Sequence, residues 1–164
     1  MKTPLDMTPK INLFVKWLAL LLTLSLGFSP ALAADQVPLK GNGQGAIVGA
    51  TPVPAGLALS VVAAGQATHL GNFSRVENLL FNPTAGTLAG TIVFTAANGD
   101  QLAGIVSGSF IAQTTAAGAY TFTGGTGRFQ NAAGSASFVV STSDGVHFTV
   151  EFQGTLSSVG ANQK

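Results

Sequence analysis

Gly124-Gly125-Thr126-Gly127-Arg128-Phe129-Gln130-Asn131-Ala132-Ala133-Gly134-Ser135-Ala136-Ser137-Phe138 joins two segments that alternate like strands. Tyr120-Thr121-Phe122-Thr123 precedes it, and Ser135 to Thr142 resumes the alternation. Glycines at 124, 125 and 127 supply the positive φ angles or close approaches that a tight connection needs. Phe129 is expected to fold back as an apolar plug, and Gly134 to restart a strand.

Outward from this connector the chain reads as further strands. Asp144-Gly145 turns Ser135–Thr142 back into Val146–Leu156, and Ala119–Thr123 lies upstream. Thr87–Ala96 and Gln101–Ala112 flank Asn98-Gly99, a hairpin signal because both central residues of a type I′ turn need positive φ. Leu57–Leu70 and Phe73–Phe81 turn at Gly71-Asn72, and Gln44–Thr51 forms a first short strand ended by Pro52-Val53-Pro54. Residues 34–43, with Pro38, Gly41 and Gly43, read as a flexible leader to a domain over 44–160, and 161–164 as a tail. Eight strands in successive hairpins, without an amphipathic helix, favour an all-β up-and-down barrel or a sandwich. A barrel also removes the open edges that so apolar a chain would expose.

The Gly-Thr-Gly-x-Phe-x-x-Ala-x-Gly pattern at Gly125–Gly134 resembles a segment of dirigent proteins and, more loosely, of allene oxide cyclases. The resemblance implies an eight-stranded antiparallel calycin-like barrel, in which Gly124, Gly125, Thr126, Gly127, Arg128, Phe129 and Gly134 shape the wall. Ala67–Gly71 and Thr95–Asp100 also look like segments of small exported bacterial β-proteins of no assigned activity. The acidic residues that dirigent proteins use at the barrel mouth, and the polar cluster of the cyclases, find no match here.

The chain has 164 residues, enough for one domain, and no cysteine, so disulfides, thiolate nucleophiles and Cys-ligated metals are excluded. Only 8% of residues are charged against 46% hydrophobic, which points to an outer surface partly covered by further subunits or a partner. Lys2, Lys10 and Lys16 precede an uncharged run, Trp17–Phe28, which Ser29-Pro30 and the small-x-small Ala31-Leu32-Ala33 follow. That is the layout of a signal peptide, expected as a helix cleaved after Ala33, leaving a secreted or periplasmic chain with no membrane attachment. Beyond residue 33, Lys40, Arg75, Arg128 and Lys164 face Asp35, Glu77, Asp100, Asp144 and Glu151, a net charge of −1. No basic stripe remains for nucleic acid.

The last strand separates Val146, Phe148, Val150 and Phe152 from His147, Thr149, Glu151, Gln153 and Thr155. The simplest assignment puts the apolar row inside; the alternative lines a pocket with the polar row. His147 and Glu151 are about 13 Å apart along the strand, too far to bond to each other. Arg75 and Glu77 share one face about 7 Å apart and interrupt the apolar row of Phe73, Leu79 and Phe81. A surface ion pair of little consequence is the simpler reading, and a lumenal pair marking a functional site the sharper one. His69 is expected to tie a strand end to its loop, and Tyr120, the only phenol, to pack in the core with its hydroxyl satisfied. Arg128 is expected to clamp loop carbonyls, and Asp100 and Asp144 to serve their hairpin turns. Two histidines without metal spacing argue against zinc, and neither a nucleophile elbow nor a phosphate loop is present.

These readings lead to an exported barrel that holds a small apolar ligand or serves a surface role, with no catalytic residues, cofactor or metal. One alternative is a cofactor-free, dirigent- or cyclase-like protein confining an apolar substrate, which requires ionisable candidates to converge in one pocket. Another is an interaction module forming a homo-oligomer.

Overall fold

A computed structural model describes residues 35–157. Eight strands run in chain order: β1 (Gln36–Val53), β2 (Gly56–Ala67), β3 (Gly71–Asn82), β4 (Thr87–Thr95), β5 (Gln101–Ala112), β6 (Thr115–Gly125), β7 (Gly134–Thr142) and β8 (His147–Ser157). Each pairs antiparallel with the next, and β8 returns to β1, so the sheet closes into a barrel. Closure leaves no free edge along the wall. The expected signal-peptide helix lies outside the described residues, which themselves form one compact unit.

Strand alternation sets the two faces. On β3, Phe73, Arg75, Glu77 and Leu79 are buried while the residues between them are exposed. On β8 the apolar row Phe148, Val150 and Phe152 turns inward and His147, Thr149, Glu151 and Gln153 turn out, as the simpler reading expects. One end of the lumen is filled by rings. Phe94 meets Phe73, Phe122 and Phe152 with centroids 5.3, 6.3 and 5.6 Å away, and Tyr120 stacks on Phe138 at 4.6 Å. Phe138 can sit there because the facing pair Gly108 and Gly118 has no side chains; a Cβ on Gly118 would come within 2.8 Å of the Phe138 ring.

The connector behaves as read from its glycines. Gly124 and Gly127 adopt φ of 124° and 53°, and a side chain on Gly125 would collide with the Gln101 carbonyl. A short 3-10 turn, Gly127–Phe129, brings the fully buried Phe129 under the barrel, where Leu70, Ala96 and Ala132 complete the seal. The opposite end, at the β1–β2, β3–β4, β5–β6 and β7–β8 turns, stays open.

Several details depart from expectation. Residues 36–43 are no leader: they pair with β8 as the first part of an 18-residue β1. Pro38 fits because β1 faces only β8 at that point, so its missing N–H breaks no second ladder. Pro52 extends the strand rather than ending it, because β1 beyond Ile47 pairs with β2 alone. The β2–β3 turn falls at Thr68–Leu70 instead of Gly71-Asn72, with His69 taking a positive φ of 65°. Asn98-Gly99 does turn the chain, but Asn98 keeps negative φ. Gly99 donates to Ala96 O and Ala96 to Asp100 O, a three-residue loop with glycine (φ 87°) in the left-handed position.

Candidate functional site

Above the aromatic floor, inward positions carry smaller side chains: Leu59, Val61, Val106, Ala116 and Val140. The strands cannot move closer without breaking the closed ladder, so the smaller residues leave space. The result is a cavity of about 680 Å³ that opens between the turns at the unsealed end. Leu57, Leu79, Phe81, Leu88 and Phe148 add to a lining in which Arg75, Glu77 and Tyr120 are the ionisable groups.

Those three meet at the bottom of the cavity. Arg75 and Glu77 are 2% and 4% exposed, so the surface ion pair of the simpler reading is overturned. Their places on β3 follow the strand period from Phe73, and that period points inward. Arg75 Nε lies 2.6 Å from Glu77 Oε1, but the N–H is not aimed along that line, leaving an ion pair without an aligned hydrogen bond. Arg75 Nη1 donates to the Tyr120 hydroxyl at 2.8 Å. The guanidinium carbon also sits 5.7–5.9 Å from the ring centres of Tyr120, Phe148 and Phe94, close enough for the ring faces to offset part of its desolvation.

The electrostatics follow from burial. Loss of water pushes the Glu77 carboxyl above its ordinary value, and the Arg75 charge pulls it only part of the way back. Burial likewise pushes the Tyr120 phenol up, so it stays protonated and can donate onward while accepting from Arg75. The cluster therefore offers guanidinium N–H groups, a phenol O–H and a carboxyl group at one point of an apolar chamber. It can orient the polar end of a mostly apolar molecule, and Glu77 can exchange a proton with it.

The other sequence candidates lie elsewhere. His69 is exposed in the β2–β3 turn at the sealed end, and the tie expected of it is made by Thr68, whose hydroxyl accepts from Lys40 N at 2.9 Å and donates to Pro38 O at 3.0 Å. Glu151 faces solvent on β8. His147 is also outside; its Nδ1 lies 2.7 Å from Asp144 Oδ2. Asp144 further accepts from the backbone of Val146 and His147, which fixes the β7–β8 turn. Its carboxyl is held far below the usual range, first by the His147 side chain and then by these N–H groups. Arg128 does not clamp carbonyls: it faces Asp100 with Nε 3.7 Å from the carboxylate and lies 4.9 Å over its neighbour Phe129. Among the described residues no cluster of three His, Asp or Glu side chains forms a metal site.

The barrel is similar to two pterocarpan synthase dirigent proteins of known structure. One is 16% identical with a TM-score of 0.54, covering 82% of this chain and 97% of that one. The other is 15% identical with a TM-score of 0.50, covering 77% and 97%. At such identities the likeness is one of fold, and the chain has a dirigent-like eight-stranded barrel. Neither a protein-family model nor a curated protein sequence matches the chain.

Proposed function

We propose that the barrel is a receptacle for one small, mostly apolar molecule, whose polar group is held by Arg75, Tyr120 and Glu77 at the bottom of the lumen. The observation that carries this is the buried three-residue cluster at the closed end of a mostly apolar cavity of about 680 Å³. That volume lies in the range of small-molecule sites, which pair an apolar lining with a few convergent polar groups. The donors of Arg75 and Tyr120 favour a ligand end rich in acceptors, such as a carbonyl, phenolate or carboxylate oxygen. In this reading the protein acts after export, as its N-terminal layout suggests, and holds the ligand without changing it.

Native mass spectrometry of the protein purified from its own host tests the reading. It should show a bound molecule of a few hundred daltons, absent from the Arg75→Met variant. A wild-type chain that arrives empty and takes up no apolar carboxylic or phenolic probe would count against it.

A second reading is dirigent- or cyclase-like confinement of a reactive substrate. It is favoured by the convergence of Arg75 and Glu77 with Tyr120, and by a Glu77 carboxyl raised toward the range useful for proton transfer. Turnover of a bound candidate by wild type but not by Glu77→Gln, with binding intact in both, would select this reading over simple storage.

A further inference from the structure

Two strands arrive at the open end with one residue too many. β1 pairs Ile47 with Val61 and then Gly49 with Ser60, skipping Val48; β5 pairs Phe110 with Ala116 and then Ala112 with Thr115, skipping Ile111. A bulge leaves its extra residue unpaired and re-aims the side chain. Here both extra residues are large and apolar, and at 62% and 65% exposure they are the most exposed large hydrophobics among the described residues. Val146 and Phe110, 45% and 43% exposed, stand beside them. Ile47 N donates to Val146 O at 3.0 Å, joining the Val48 bulge to the β7–β8 turn. Phe110 meets Phe81 edge-on at 5.4 Å, joining the other side to the cavity wall.

Val48, Phe110 and Val146 also line the cavity, so apolar surface continues from the lumen onto the rim beside the uncharged Gln113, Thr114 and Thr142. The four turns at this end carry one ionisable side chain, Asp144, which is paired with His147 at the start of β8. Lys40 and Arg128 lie toward the sealed end, so among the described residues no Lys or Arg surrounds the mouth.

We propose that this mouth docks on a net-neutral lipid surface and draws its ligand from there. The inference rests on the receptacle reading: a molecule apolar enough to displace water from this chamber dissolves sparingly in water and collects in lipid. Bulged side chains that stand out singly suit insertion between lipid head groups. With Val146 and Phe110 the two bulged residues make four exposed apolar side chains around an opening, far fewer than the roughly 20–30 residues a side that a stable protein interface uses. Without Lys or Arg at the rim, attachment depends on apolar contact and should not require anionic lipid or low salt.

Flotation of Ala34–Lys164 with phosphatidylcholine vesicles tests the proposal. The protein should float to a similar extent with or without added phosphatidylserine and at raised salt. The pair Val48→Asp/Ile111→Asp should lower the bound fraction about tenfold, and the uncharged pair Val48→Ser/Ile111→Ser should lower it too. The same charges on the outer wall, at the exposed Thr91 and Thr121 (Thr91→Asp/Thr121→Asp), should have no effect. Circular dichroism should match wild type in every rim variant, and uptake of an apolar fluorescent carboxylic acid should match it in the single variant Ile111→Asp, because Ile111 stands outside the cavity lining. Absence of flotation, flotation indifferent to the rim variants, or equal loss in the wall variant overturns the proposal. So does a concentration-dependent dimer that the rim variants dissolve without any flotation, since the rim would then face a second copy. Failure of the receptacle reading itself shows differently, as a wild-type chain that never takes up the probe.

Discussion

Arg75→Met removes one half of a buried ion pair and leaves Glu77 beneath an apolar chamber. In the wild-type barrel the guanidinium faces Glu77 at 2.6 Å and donates to Tyr120 at 2.8 Å. Breaking such a pair from one side costs about 3–5 kcal/mol, chiefly because the remaining charge loses its counter-ion without regaining water. With a urea m-value of about 2 kcal/mol/M, this moves the unfolding midpoint down by roughly 2 M at neutral pH. The loss should shrink in acid. The Glu77 pKa is already raised in the fold from 4.5, so its contribution is most favourable below that value and is lost as pH rises through the folded pKa. Arg75 is the influence holding that pKa down, so its removal raises the pKa further and widens the window in which the variant suffers. The double variant Arg75→Met/Glu77→Leu should recover most of the lost stability, because apolar groups of similar volume often replace a buried pair at no net cost. It should not recover ligand binding. Urea unfolding at two pH values together with a binding titration decides the matter. A double variant as unstable as Arg75→Met, or one that binds as well as wild type, would refute the assignment of the pair to function.

Two further outcomes follow from the same geometry. Tyr120→Phe keeps the ring stacked on Phe138 and deletes the acceptor of a charged hydrogen bond, so urea unfolding should show a loss of about 1.5–3 kcal/mol with the barrel otherwise unchanged by circular dichroism. Asp144→Asn should lower the melting temperature at neutral pH and change nothing in strong acid: the wild-type carboxyl is depressed from 3.8, so its contribution is whole above that value and fades as pH falls toward the folded pKa.

The barrel was legible because closed antiparallel sheets repeat a short-range signal, alternation interrupted by turn residues, eight times over. Gly124, Gly127 and Phe129 could be assigned from local chemistry alone, since φ and the placing of one apolar side chain are local properties. The face of Arg75 and Glu77 was written in their register with Phe73 and Leu79, yet the general cost of burying charge argued for the surface. What settles it is Tyr120, 45 residues away in sequence, which gives the guanidinium an acceptor. A contact of that range leaves no trace in local pattern. The same limit hid the first part of β1: Gly41 and Gly43 read as loop formers, whereas their missing side chains let β1 lie close against β2 and Phe152. His69 and His147 attracted attention by residue type, but the β2–β3 turn leaves the first exposed and the alternation of β8 turns the second outward.

The composition of the lumen bears on why an ion pair stands in it at all. Elsewhere inside the barrel the chain uses chiefly Phe, Leu, Val, Ile and Ala, and an apolar pair at positions 75 and 77 would continue that pattern with no desolvation to overcome. The wall of β2, β4, β5, β6 and β7 carries no ionisable side chain except Tyr120, which is the one that meets Arg75. Lys40 on β1 and Glu151 on β8 face solvent, so the charge that the strands turn inward is confined to one buried point, on the side of the aromatic floor that faces the opening. A cluster needed only to hold strands together would serve equally well beneath that floor, among Phe73, Phe122 and Phe152, where no ligand can reach. Its position against the cavity is what a polar anchor for a mostly apolar guest requires, and that placement is why recognition, rather than strand-holding alone, is the role proposed for Arg75, Glu77 and Tyr120.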